Sequence, residues 1–266
     1  MSSEPKTTIV KIGGSVITDK NGELSPRTQE MSRLADEFKE AGARNLMVVH
    51  GGGSFGHPVA EKHRIKEGFK ESSQIVGYAE THHVMTVLNG LFMDALVWQN
   101  IPAVSVTPAS CVVTKKGRIE QFEEMQLRML LKLGFLPITY GDAVLDTDIG
   151  FTILSGDQLV CYLANQFNAE RIIMGVDVDG LYDADPKTEK NAKMLQHLTL
   201  GDVKKLQSSL KPSPRDVTGG MFGKIAELIP AIERNIPVTI VNATKPNNIY
   251  RALKGEKVEG TLITKE

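Results

Sequence analysis

The sequence has little of what marks a specialised environment. Its 266 residues include only two cysteines, Cys111 and Cys161, far apart and forming no C-x-x-C pair. A disulfide framework is therefore excluded, and two buried free thiols in a reducing cytosol are the expectation. No stretch approaches the ~18 consecutive apolar residues that span a bilayer. The opening "MSSEPKTTIVKIGGS" lacks a basic segment followed by a long apolar one, so no secretory signal is expected and the protein reads as soluble and cytoplasmic. Charge of one sign is missing too. A formal net charge of -1 gives no overall attraction to nucleic acid or to an anionic membrane, so any anion site must be local. There is no low-complexity linker and no repeat. There is no Walker A motif either, since the nearest string, "GGMFGKI", lacks its spacing and the Ser/Thr after lysine.

What is present is an alternation of short apolar runs with helical patterns from end to end. That pattern predicts an α/β fold, a three-layer αβα sandwich on a central, mainly parallel open sheet. Strands are expected at residues 8–12, 46–49, 103–106, 136–139, 171–176 and 238–241, with a hairpin over 143–154 where "DTDIG" supplies turn residues. Ser25 and Pro26 suggest a helix N-cap and first turn, Met31, Leu34, Ala35 and Phe38 give its apolar stripe, and Gly42 its stop. Residues 72–99 read as one long helix with an apolar side formed by Val84, Val87, Leu88, Leu91, Phe92, Ala95 and Leu96. Further helices are expected near 122–133, over 158–166 and from about 223, where the interior Pro230 predicts a kink or break. A soft lobe boundary falls near residue 150.

The chemistry is concentrated in two glycine turns. "KIGGS" ends the first strand, and "HGGGSFGH", residues 50–57, ends the second. The second contains G-x-G-x-x-G, the fingerprint of a dinucleotide site, but that reading needs an acidic residue about 20 positions on, at the end of a following strand. The region offers "EKHRIKEGFKESS" instead, so NAD binding is set aside. Glycines after a strand let backbone N–H groups approach an anion, helped by a following helix N-terminus. If the two strands are neighbours, both turns open at one sheet edge, an arrangement suited to a donor phosphate facing an acceptor phosphate. Lys11, Lys20 and Lys224 each adjoin a glycine-rich or polar turn and supply positive charge for phosphoryl transfer. Asp157 in "SGDQ" is placed to orient those lysines. His57 can donate a hydrogen bond to an anion without acting as a base. His50 reads as structural, His82 and His83 face different directions, His63 and His197 have no ligand-like spacing, and "DVDG" lacks the rest of an EF-hand. No dedicated metal cage is expected.

The strings "KIGGS", "HGGGSFGH", "YGD", "SGDQ", "DVDGLYDADP" and "DVTGGMFGK" occur, in order and over nearly the whole chain, as in the amino acid kinase superfamily, which this sequence resembles. Within it the combination is most similar to the isopentenyl phosphate kinase family. Acetylglutamate kinases lack a counterpart of His57 and UMP kinases lack the "SFGH" continuation, whereas fosfomycin kinases share the histidine and stay an alternative. The resemblance implies an ATP-dependent kinase, with isopentenyl phosphate as acceptor, in isoprene biosynthesis by the mevalonate route. It implies that Lys11 and Lys224 contact the ATP phosphates over Gly13, Gly14 and Ser15, and that Lys20 stabilises the transferring phosphoryl. Gly52 and His57 would hold the acceptor phosphate, Gly53 would lie against the nucleotide, Gly156 would border the acceptor, and Asp157 would organise the lysines. Asp177, Val178, Asp179, Gly180, Tyr182, Asp183 and Gly220 would shape the nucleotide pocket. Mg²⁺ would accompany ATP, and a homodimer is implied. On this reading residues 1–150 form the phosphate-acceptor lobe and 151–266 the nucleotide-binding lobe. Ile75, Val76, Tyr78, Val84 and Met85, near the start of the long helix, are candidates to surround a short hydrocarbon tail. A phosphonate kinase and a catalytically silent nucleotide-binding protein of the same fold are the competing readings.

Overall fold

Alternation along the first strand decides which side chains reach which face of the sheet. The computed structural model describes residues 6–42, 44–183, 189, 191–209 and 217–266. Its elements in chain order begin with β1 (Thr8–Ile12), α1 (Gly14–Ile17), α2 (Thr28–Ala41), β2 (Leu46–His50), α3 (Gly53–Lys62) and α4 (Ser73–Trp98). There follow β3 (Ala103–Ser105), β4 (Val112–Lys115), β5 (Arg118–Phe122), α5 (Met125–Leu133), β6 (Leu136–Tyr140), β7 (Asp142–Asp146) and β8 (Gly150–Leu154). The chain continues through α6 (Gly156–Gln166), β9 (Arg171–Val176), β10 (His197–Thr199), α7 (Leu200–Ser209), α8 (Val217–Glu233), β11 (Val238–Asn242), α9 (Asn248–Lys254) and β12 (Gly260–Thr264).

Among the described residues an eight-stranded sheet has the order β10-β12-β11-β9-β1-β2-β6-β3. Its neighbours are parallel except β11 and β12. Strands before residue 150 fill one half and those after it the other, and the sheet is continuous where β1 pairs with β9. Side chains two apart share a face. Ile9 of β1 and Met47 and Val49 of β2 pack with Leu159 and Leu163 of α6 and Leu228 and Ile232 of α8. Val10, Ile12 and Val48 pack on the opposite face with Leu34 of α2, Phe92 of α4 and Ile249 of α9. This is the expected three-layer architecture. A second sheet, β5-β4-β7-β8, carries the expected β7–β8 hairpin and a β4–β5 hairpin. The latter was not read from the sequence, and it delays α5 to Met125.

One local expectation is corrected, and that for Pro230 is narrowed, since no break occurs. Helix α2 begins at Thr28, not at Ser25–Pro26, because Pro26 pairs with Thr18 and the Arg27 N–H donates to the Ile17 carbonyl at 2.8 Å. Pro26 therefore closes a loop. Helix α8 runs unbroken past Pro230. Only three helical residues follow, and Leu228, Ala231 and Ile232 are completely buried, so packing holds the last turn. Helix α4 carries the expected apolar side, with Leu88, Phe92 and Leu96 completely buried and Val84, Leu91 and Ala95 packed on the core; Val87 alone of that set is exposed, and Gln74, Thr81 and Asn89 are buried as well. No helix of the described residues is long and apolar enough to cross a membrane, and both cysteines are free thiols.

His50 ends β2 on the α4 face, fully buried and stacked on Tyr140 with ring centroids 5.2 Å apart. Its ring nitrogens lie 3.2 Å from Asn89 Oδ1 and 3.2 Å from the Gly51 carbonyl. Burial outweighs both contacts and lowers its pKa to about 4. The unfolded chain then takes up this proton near the ordinary 6.5 while the folded chain resists until about 4, so folding loses stability as pH falls through that window. Relative to a His50→Gln variant, the wild type should lose about 3 kcal/mol of its advantage between pH 7 and pH 4. Urea denaturation across this range checks it, and a constant difference would contradict the assignment.

Candidate active site

Strands β1 and β2 are parallel neighbours, with Lys11 opposite Val49 and Ile12 opposite His50. Both glycine turns therefore open at one carboxyl edge, as anticipated. They do more than face each other: they touch. A Cβ on Gly14 would lie 2.1 Å from the Gly53 nitrogen, and one on Gly51 would lie 2.8 Å from the Gly14 nitrogen. Gly53 also has φ +49°, a conformation that favours glycine. The first turn leads into only the four residues of α1, so its anion-binding capacity rests on backbone N–H groups and nearby lysines. The second leads into the ten-residue α3, which supplies the helix N-terminus the sequence suggested.

Lys11 lies two residues after Ile9, on the face that α6 covers. There its buried Nζ meets Asp157 Oδ1 at 2.5 Å, in the first turn of α6. Ser155 caps that helix, its hydroxyl accepting from the Gln158 N–H at 3.1 Å. Lys224 of α8 approaches the other carboxylate oxygen, Oδ2, at 3.4 Å. Burial lowers the Lys11 pKa, opposed by the Asp157 charge and assisted by Lys224. Burial alone would raise the Asp157 carboxyl, but the Lys11 and Lys224 charges outweigh it and hold the pKa below the ordinary carboxylate value. Asp157 thus organises two lysines, not the three expected. Lys20, on the loop after α1, is instead paired with Asp177 Oδ2 at 2.6 Å, just beyond the end of β9. The Ser15 hydroxyl also contributes a hydrogen bond to Asp177.

A cavity of about 110 Å³ opens between the second turn, α4 and the start of α6. Lys11, Gly52, His57, Gly156, Asp157 and Lys224 line one set of its walls, and Ala60, Thr81, Met85, Ile153 and Leu154 another. Lys11 and His57, which the resemblance assigns to the donor and the acceptor phosphate, share this cavity. His57 is an exposed residue overall, although desolvation where it meets the cavity acts on its ring. The protein around it lowers its pKa, helped by the Lys224 and Lys11 charges. Of the residues proposed to surround a tail, only Met85 lines the cavity. Tyr78 packs on Phe151, Val84 packs into the core between sheet and α4, and Ile75 and Val76 are exposed. The helix presents Thr81 and Met85, one turn apart, to the cavity, and apolar patterning does not single out that stripe.

Asp142, in the "YGD" string, was given no role from the sequence, yet it lines the cavity and is buried. Burial raises its pKa to about 6, opposed by His82, whose Nδ1 lies 3.0 Å from Oδ2. Thr18, also unassigned, bridges the two glycine turns. His63 is paired with Glu80 and His197 with Thr264, and among the described residues no three His, Cys, Asp or Glu side chains gather as a metal cage.

The segment that follows β9 lies at the same edge, since the Gly13 N–H donates to the Gly175 carbonyl at 2.8 Å. Asp179 is held by Lys245 at 2.6 Å and by the Asn242 amide at 2.9 Å. Val178 packs on the α6 side of the core. Gly180 passes so close to β12 that a Cβ would lie 2.7 Å from Thr261 Oγ1. Tyr182 bridges to Met194, and the Asp183 carboxylate accepts from the Lys193 N–H at 2.7 Å. Gly220 lies in the first turn of α8. Residues 184–186 of "DVDGLYDADP" and residue 216 of "DVTGGMFGK" lie outside the described residues.

The profile of the amino acid kinase family matches residues 6–242. Isopentenyl phosphate kinase of Methanothermobacter thermautotrophicus is 40% identical over 264 residues, covering 96% of this chain and 98% of that protein. The enzyme of the same name from Methanocaldococcus jannaschii is 38% identical over 96% of this chain and 98% of its own. A crystal structure of an isopentenyl phosphate kinase superposes with a TM-score of 0.86 at 37% identity, covering 97% of this chain and all of that one. Two touching glycine turns, lysines gathered on one buried aspartate and this degree of likeness lead to one conclusion: the chain belongs to the amino acid kinase family, alongside the isopentenyl phosphate kinases.

Proposed function

We propose that the protein transfers the γ-phosphoryl group of ATP to isopentenyl phosphate, forming isopentenyl diphosphate and ADP by direct in-line transfer. The observation that carries this reading is the shared cavity of Lys11, His57 and Lys224 beside two glycine turns in backbone contact. Phosphoryl transfer needs little covalent help from a protein; it needs two phosphates held in line and their charge neutralised. An acceptor phosphate already presents an anionic oxygen as nucleophile, so no general base is required. The roles are those that the resemblance implies, and the placement of these residues supports them. Gly13, Gly14 and Ser15 cradle the ATP phosphates, with Lys11 and Lys224 neutralising them and Asp157 fixing both ammonium groups. Gly52 and the exposed His57 hold the acceptor phosphate, Gly53 lies against the nucleotide, and Gly156 borders the acceptor. Lys20 leaves Asp177 to stabilise the transferring group. Ala60, Met85, Ile153 and Leu154 offer an apolar surface to a short hydrocarbon tail.

Residues 177–183 and Gly220 shape the nucleotide side; in this reading residues 1–150 form the acceptor lobe and 151–266 the nucleotide lobe, with the turn at 13–15 and Gly53 reaching the nucleotide from the first lobe and Gly156 the acceptor from the second. The donor set at the transfer point is rich in ammonium groups, which suits phosphate oxygens. Mg²⁺ would arrive on the ATP phosphates and add positive charge there. We also read the protein as a cytoplasmic homodimer in the mevalonate branch of isoprene biosynthesis. The free thiols support the first part of that reading, and the exposed Trp98, Met129 and Leu133 on α4 and α5 support the second. The relatives do not favour the phosphonate-kinase or silent alternatives.

ADP release with Mg-ATP should be fastest with isopentenyl phosphate in a panel that includes dimethylallyl phosphate, fosfomycin, UMP and acetylglutamate. Activity confined to acetylglutamate would overturn the acceptor assignment. Lys20→Ala should lower kcat by roughly 10²–10³-fold, as for loss of one preorganised transition-state donor. His57→Ala should abolish turnover of the monophosphate while ATP binding, measured by calorimetry, survives; near-normal kcat/KM would remove His57 from the acceptor site.

A further inference from the structure

One hydroxyl joins the two phosphate-binding turns. Thr18 is completely buried, just after α1. Its Oγ1 donates to the Gly14 carbonyl at 2.8 Å and accepts from the Ser54 N–H at 3.0 Å. Gly14 belongs to the turn assigned to the donor, and Ser54 to the turn assigned to the acceptor. We propose that Thr18 is a positioning residue for phosphoryl transfer, setting the separation of the two turns and hence of the reacting phosphates. This rests on the reaction proposed above.

The sequence and packing explain why a threonine does this. The first N–H groups of a helix have no partner within it, and α3 begins behind Gly52, which has no side chain to cap it. The Thr18 hydroxyl satisfies Ser54 from outside the helix. It occupies space that only glycine leaves open, since a Cβ on Gly53 would lie 2.0 Å from Oγ1. Thr18 is itself fixed: its N–H also donates to the Gly14 carbonyl at 2.9 Å, its backbone is extended at φ -135°, and it bridges to Pro26. A second tie, from the Ser25 N–H to Ser54 Oγ at 3.3 Å, holds the same loop to α3. Turn separation is thus set by a hydrogen-bonded contact. Each turn can bind its own phosphate without that contact; only the alignment of donor to acceptor requires it. Misplacement near 1 Å can cost about 10²-fold in rate.

Thr18→Val keeps the shape and removes the hydroxyl. With the full-length protein, kcat should fall about 10- to 10²-fold, while KM for ATP and for isopentenyl phosphate each change by less than about threefold. Thr18→Ser, which restores the hydroxyl, should return kcat to within about threefold of wild type. A Thr18→Val variant with wild-type kcat, or one whose loss appears in either KM, would overturn the proposal. So would a Thr18→Ser variant that folds and is as slow as Thr18→Val. Should Thr18→Val fail to fold, the Thr18→Ser rate alone decides. Wild-type turnover of isopentenyl phosphate, measured in the same series, tests the underlying reaction separately, and a wild type silent toward every acceptor would overturn both.

Discussion

A lysine buried in the sheet has to be answered by a carboxylate, and the answer here organises the site. Lys11 is carried inward by its position in β1, with its side chain only 4% exposed. An ammonium group in that setting is tolerated only when paired and hydrogen-bonded. Asp157, delivered by the first turn of α6, supplies the pairing and recruits Lys224 from α8 through its second oxygen. Strand, helix start and later helix are thereby fixed around one carboxylate, with two cations at the edge where the glycine turns open. Burial of such a pair is poor evidence for stability. Its value is geometric, in holding two ammonium groups at the edge where the turns open, as the proposed phosphoryl transfer requires.

The parallel pairing of β1 and β2 does the rest of the positioning. Two strands that run together end together, so their loops must share space. Bulkier residues would force them apart, and the glycines at 14, 51 and 53 are required by backbone approach as much as by ligand access. The core reinforces this arrangement from both faces, with α6 and α8 on one side and α2, α4 and α9 on the other.

Much of this was legible in the sequence because it follows from short-range patterning. Strands β1 and β9 were read to the residue, the helix stop at Gly42 holds, and Lys11, His57, Asp157 and Lys224 converge. Readings that failed depend on tertiary partners that the local pattern does not show. Ser25 and Pro26 look like a helix start until Thr18 pairs with Pro26. Lys20 looks like a companion of Asp157 until the end of β9 brings Asp177 to it. The apolar side of α4 is legible too, Val87 apart, whereas the burial of Gln74, Thr81 and Asn89 rests on hydrogen bonds that hydropathy does not mark. Thr18 gives no signal at all, since it acts on backbone atoms, which a side-chain pattern does not encode.

The pairing of Lys20 with Asp177 has a consequence for the idle protein. Three ammonium groups at the sheet edge are met by two carboxylates, leaving one positive charge in excess among these five side chains. Mutual repulsion among the three ammonium groups is offset in this way. On the proposed reaction, engagement of Lys20 by a phosphoryl group is then an exchange of one counter-ion for another.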